Sequence, residues 1–142
     1  MLALSPPLLP LLVLALCEAT KVGIEWMKTG QWHRRLFHPG GMPSSHSAFV
    51  TSLVIVVAKL TGVHSAEFAI ALCFAIYVYY DAFGPRHELG HQAHLLNELQ
   101  HKEHLQEMWG HTLKQVIGGI LFGTVVTMWG LTNFQFSISS FQ

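Results

Sequence analysis

Apolar residues in this chain fall into four blocks separated by polar stretches. A helix that crosses a bilayer needs about 20 mainly apolar residues. Four segments approach that length: about Leu4 to Trp26, Ser45 to Leu60, Ala66 to Phe83, and Leu113 to Leu131. Pro6, Pro7 and Pro10 crowd the opening turns of the first, and Thr61 to Ser65 forms a tight connection between the second and third. The fourth carries Gly118, Gly119, Gly123 and Gly130, of which Gly119 and Gly123 have the spacing that lets two helices approach closely in lipid. Between the third and fourth blocks, Leu89, Ala93, Leu96 and Leu99 recur at helical intervals, with His87, His91, His94 and His101 on a separate stripe. This pattern predicts an amphipathic helix at the membrane surface, histidines on its wet face.

The first block could pass for a signal peptide, since Leu8 to Leu16 is a short apolar core. It lacks a basic leader, Cys17-Glu18-Ala19 is a poor cleavage site, and apolar character resumes through Val22, Ile24, Trp26 and Met27. A retained first membrane helix is expected. The 142 residues then make one domain, 1–142, with an all-α fold: a polytopic membrane helical bundle of about four transmembrane helices plus an amphipathic helix.

Composition agrees with that picture. Hydrophobic residues make up 51% and charged residues only 11%, against about 25% in soluble domains. The formal net charge is zero, so no nucleic-acid partner is expected; membrane lipids are. Cys17 and Cys73 lie in apolar stretches and read as small buried hydrophobes.

Four crossings put residues 28–44 and 84–110 on one side of the membrane. Lys21, Lys28, Arg34, Arg35, Ser44, Ser45, His46, Asp81, Arg86 and His111 gather near that side. Seven of the eight Lys and Arg residues belong there, Lys59 being the exception, and the positive-inside tendency makes this face cytoplasmic.

The chemistry concentrates in Gly40-Gly41-Met42-Pro43-Ser44-Ser45-His46-Ser47, a polar turn ahead of an apolar helix. Helix N-termini attract anions, and a histidine there can exchange protons near neutral pH. Cations, a Ser-rich helix start and two separated histidines suit a phosphate monoester. Fixed cations and N–H groups would neutralise the phosphoryl oxygens, one histidine would attack phosphorus, and the other would protonate the departing alcohol. Such a scheme needs no metal or other cofactor.

Gly41-Met42-Pro43-Ser44-Ser45-His46 resembles the second signature of the PAP2 phosphatase superfamily, which includes type-2 phosphatidic acid phosphatases and vanadium haloperoxidases. More specifically, the chain resembles the divergent PAP2 family, also described as acid phosphatase/vanadium-dependent haloperoxidase-related. That family's small membrane proteins show GGMPSSHSA, then DAxGxRxxxGxQAxxLN, then GHxxxxVxxG. Here these read Gly40 to Ala48, then Asp81-Ala82-Phe83-Gly84-Pro85-Arg86 with Gly90, Gln92-Ala93 and Leu96-Asn97, then Gly110-His111 with Val116 and Gly119. The resemblance implies that His111 is the nucleophile and His46 the general acid, with Ser44, Ser45 and Arg86 holding phosphate. Lys21 and Lys28 have the spacing of the superfamily's first signature, although Arg34 or Arg35 could fill the second position. Two departures stand out. The superfamily usually places an arginine six residues before the nucleophile and an aspartate four after it, where this chain has Leu105 and Gln115. Gln115 can orient an imidazole but cannot balance imidazolium, and Asp81 or Arg86 would have to compensate.

Two other readings compete. His87-Glu88-Leu89-Gly90-His91 matches the H-E-x-x-H zinc motif of metalloproteases, but no third ligand appears on a later span. A non-catalytic membrane scaffold that keeps a phosphate pocket is the other. His33, His38 and His64 read as solvated loop residues, and Trp26, Trp32, Trp109 and Trp129 as interfacial anchors or packing groups. The expected function is hydrolysis of a lipid or isoprenoid phosphate through a phosphohistidine, with vanadate as a competitor. A second copy of the chain could complete the site.

Overall fold

The computed structural model of the chain describes residues 8–30, 41–99, 105 and 111–133, without the side chains of residues 86 and 87. Among the described residues there are five α-helices and no strand: α1 (Leu8–Thr29), α2 (Ser45–Thr61), α3 (Ala66–Phe83), α4 (Pro85–Leu99) and α5 (Leu113–Asn133). Helix ends follow local chemistry. Ser65 caps α3, its hydroxyl accepting the Phe68 N–H at 3.1 Å. Gly62 ends α2 at φ 83°, a left-handed conformation that favours glycine, and its N–H returns to the Ala58 carbonyl at 3.1 Å. Pro85 opens α4, where its missing N–H leaves no intrahelical bond unmade.

The register of contacts gives the topology. A Cβ on Gly119 would meet the Ser44 carbonyl oxygen, and one on Gly123 would lie 2.5 Å from the Ala48 carbonyl oxygen. The numbers rise together, so α2 and α5 run parallel, with backbones in near contact. Gly130, late in α5, packs against Leu9 at the start of α1, which sets α1 antiparallel to α5. The Thr51 and Tyr79 hydroxyls lie 2.7 Å apart and tie α3 to α2, also antiparallel. The ends of α1 and α3 and the starts of α2 and α5 therefore share one end of the bundle, hereafter the motif end. Val13, Cys17 and Ala48 form the buried centre, with Phe122 and Val126 packed against it. Small residues dominate because they let helix axes approach.

Two stretches, Ala66–Leu99 and Leu113–Asn133, are long and apolar enough to cross a membrane; α2 is apolar but shorter, at 17 residues. Within α1, Glu18, Lys21 and Glu25 interrupt the apolar character. Ile70, Phe74 and Tyr77 of α3 and Leu121 and Val125 of α5 point outward, a pattern suited to lipid.

One expectation is corrected. Cys17 is buried, but Cys73 is exposed. It sits between Leu72 and Phe74 on the outward face of α3, whose inward positions are the alanines Ala71 and Ala75. Along α4 the apolar positions divide between protein and surface. Gly90 and Ala93 are buried, while Leu89, Leu96 and Leu99 remain exposed. His91 and His94 are exposed, as the stripe predicted, and His94 lies 3.6 Å from Glu98. His33, His38, His101, Trp32 and Trp109 lie outside the described residues.

Candidate functional site

The site is built where the Gly-Met-Pro-Ser-Ser-His turn enters α2. Gly41 takes φ 94°, and Ser44 then caps the helix, its Oγ accepting the Ser47 N–H at 3.4 Å and lying 3.0 Å from the Ser47 hydroxyl. The same serine reaches across the bundle: its backbone N–H donates to the Gln115 carbonyl at 3.0 Å. The Cys17 thiol faces the Pro43 carbonyl at 3.7 Å. The turn is thus held from both α1 and α5. Beneath it, Gly118 faces Met42 and Pro43, and Gly119 faces Ser44 and Ser47. A side chain at position 119 would push the start of α5 away from the cap.

Lys21, from α1, is buried and points its ammonium into this end. Its Nζ donates to Ser45 Oγ at 3.0 Å and to Glu18 Oε1 at 2.8 Å. Two carriers of the expected phosphate grip, Lys21 and Ser45, therefore bind each other. Glu18 was missed by sequence reasoning. The signal available was its position three residues before a lysine on one helical face.

His111 precedes α5 and is 7% exposed. Its N–H donates to the Ala82 carbonyl at 2.9 Å, so the end of α3 sets its depth. The ring Nδ1 lies 3.3 Å from Gln115 Oε1, which also accepts the Thr112 backbone N–H at 2.8 Å. A backbone N–H can only donate, so the amide atom facing it is the oxygen. A bond between Nδ1 and that oxygen requires Nδ1 to donate, and in a neutral ring this leaves the lone pair on Nε2. Gln115 can orient the imidazole in this way without supplying a negative charge.

Lys21, Ser44, Ser45, Gln115 and His111 are joined by this chain of contacts. His46 is exposed on the first turn of α2, two residues beyond Ser44. Asp81 is half-buried in the last turn of α3, next to the Ala82 that holds His111. Lys28 is exposed two turns beyond Lys21 and makes no part of the cluster. The Arg86 side chain, and Arg34 and Arg35 altogether, lie outside the described residues, as does Gly110. Of the possible zinc motif, Glu88 and His91 are exposed, and the His87 side chain is outside the described set. Among the described residues, no three His, Cys, Asp or Glu side chains group as a metal site.

The profile of a family described as the divergent PAP2 family matches residues 5–126. The chain is 35% identical to the uncharacterized membrane protein YuiD of Bacillus subtilis (strain 168) over 109 aligned positions, covering 63% of this chain and 69% of that relative. No solved structure matches it.

Proposed function

The chain belongs to the divergent PAP2 family, and from that premise we propose that it hydrolyses a phosphate monoester carried by a membrane amphiphile, a lipid or isoprenoid phosphate. The observation that carries the reading is the linkage of all three motifs at one end of the bundle: Ser44 to Gln115, and His111 to both Gln115 and Ala82. Nε2 of His111 attacks phosphorus, an N–P bond forms, and the bond from phosphorus to the alcohol oxygen breaks. His46 gives its proton to that oxygen. Water then attacks the phosphohistidine, His46 takes up its proton, and the N–P bond breaks to release inorganic phosphate. Lys21 and the N–H groups opening α2 offset the phosphoryl charge. In this reading the helices cross the bilayer four times and the motif end faces the cytoplasm, so the substrate's tail lies among the helices while its head reaches the polar cluster.

The test is turnover by the purified chain in detergent, across a panel of lipid phosphates, with and without chelator. Hydrolysis should survive chelator, yield to vanadate, and fall by at least 100-fold in His111→Ala and in His46→Ala, the scale on which general acid–base catalysts act. Full turnover in both variants would remove the mechanism. Metal-dependent peptide cleavage would instead favour the zinc reading.

A specific observation favours a second reading, a phosphate-binding scaffold without turnover. Lys21 is already bonded to Glu18, and Gln115 cannot balance an imidazolium. Saturable phosphate or vanadate binding with no hydrolysis of any substrate would select it.

A further inference from the structure

At the end of the bundle opposite the motifs, a groove lies between α2 and α5. The close contacts of Gly119 with Ser44 and of Gly123 with Ala48 lie toward the motif end of this helix pair. The groove measures about 380 Å³ and is lined by Ile55, Ala58, Lys59, Met128, Leu131 and Thr132. Its walls are apolar apart from Lys59 and Thr132, and the Thr132 hydroxyl is bonded to the Trp129 carbonyl at 2.8 Å.

We propose that this groove holds one acyl chain of an anionic phospholipid whose phosphate pairs with Lys59. The inference rests on α2 and α5 crossing the bilayer, and it does not depend on turnover at the motif end. An unfilled apolar groove facing lipid would forfeit dispersion contacts along both walls, and a flexible acyl chain restores them. Lys59 lies in the last turn of α2, exposed, where an ammonium on a long stem reaches the head-group level. The indole of Trp129 is exposed on the neighbouring helix end, as suits that level. Charge selects the head group. In the four-crossing topology expected from the sequence, the other seven Lys and Arg residues fall on the opposite side, which leaves Lys59 as the fixed cation here, with His64 and Glu67 on the adjoining α2–α3 corner. A phosphodiester with no ammonium of its own gains most from it; phosphatidylcholine, internally neutralised, gains less. Lys59 is 14 residues beyond Ser45, roughly 20 Å along the helix. The lipid therefore belongs to the leaflet opposite the phosphoryl chemistry, and is not the substrate.

The experiment is native mass spectrometry of the full chain released from detergent, with phosphatidylglycerol or phosphatidylcholine of identical acyl chains. Phosphatidylglycerol should be retained about fivefold better, the factor expected of one basic residue near an anionic head group. Lys59→Gln should erase that preference while keeping helix content, and Lys59→Arg should keep it. Ala58→Phe, which fills the groove, should lower retention of both lipids. Equal retention by the parent chain, or an undiminished preference in Lys59→Gln, overturns the proposal. Lys59 also faces the negative end of the α2 dipole. If that were its whole role, Lys59→Gln would lower Tm equally in both lipids and leave selectivity unchanged.

Discussion

The first turns of α2 and α5 and their last turns are made by the same two parallel helices, yet they are built on opposite terms. At the first turns the backbones nearly touch, and Ser44, Ser45 and Ser47 are buried with their hydroxyls bonded. At the last turns a groove with mostly apolar walls lies between the two helices. Close approach favours the buried polar groups at one end: the Ser44 N–H, just ahead of α2, reaches the Gln115 carbonyl at 3.0 Å where Gly118 and Gly119 leave room for the turn. The glycines therefore act at a distance from any chemistry: they hold Gln115, and with it His111, against the cap of α2.

The strongest way to break that contrast is at position 123. A Cβ there lies 2.5 Å from the Ala48 carbonyl oxygen and 2.9 Å from its Cα, and backbone atoms cannot rotate aside as a side chain can. Gly123→Val should cost about 3 kcal/mol, the upper range for overpacking. Thermal unfolding followed by circular dichroism in detergent reads the loss, with Gly23→Ala as control, since a Cβ on Gly23 meets nothing within 4 Å. A parental Tm in Gly123→Val would mean that the near contact of α2 and α5 is not what holds the bundle.

The polar half of the contrast turns on Lys21. Lys21→Gln removes a buried ammonium and leaves Ser45 and Glu18 without their shared partner. Glu18 is more than half exposed and regains water, so the expected cost is about 2 kcal/mol, below that of a fully buried broken pair. Lys28→Gln, at an exposed position, should change stability by less than 0.5 kcal/mol or thereabouts. Equal effects of the two substitutions would show that burial at the motif end contributes nothing to the grip on Lys21.

The apolar blocks alone located most of the helices. The segment read as Ala66 to Phe83 is α3, and those read as Ser45 to Leu60 and Leu113 to Leu131 gain one and two residues at their ends. Long apolar runs bounded by Ser, Gly and Pro carry that information locally. The pairing of His111 with Gln115 was expected through the family resemblance, which places an orienting residue four positions after the histidine. Glu18 was not read, because its role depends on Lys21 turning inward, which no property of α1 alone dictates. The exposure of Cys73 escaped for a related reason. An apolar neighbourhood in sequence does not distinguish a helix face turned to protein from one turned to lipid. Nor does any single segment reveal that α2 and α5 run parallel; that follows only once α1 and α3 are placed beside them.

The smallest effect should come from the groove. Met128 is 53% exposed along its wall and is packed on one side only, so Met128→Ala removes few contacts and leaves no enclosed cavity. A core methionine truncated to alanine costs about 2 kcal/mol or more because the void persists; here surrounding lipid or detergent can enter, and less than about 1 kcal/mol is expected. The measurement is the same thermal unfolding, made with detergents of short and long alkyl chain. If the loss is small and shrinks further with the longer chain, the last turns of α2 and α5 behave as a surface that amphiphiles fill. If instead the loss matches that of Gly123→Val, the two ends are packed alike, and the separation of a fixed polar end from an open apolar one disappears.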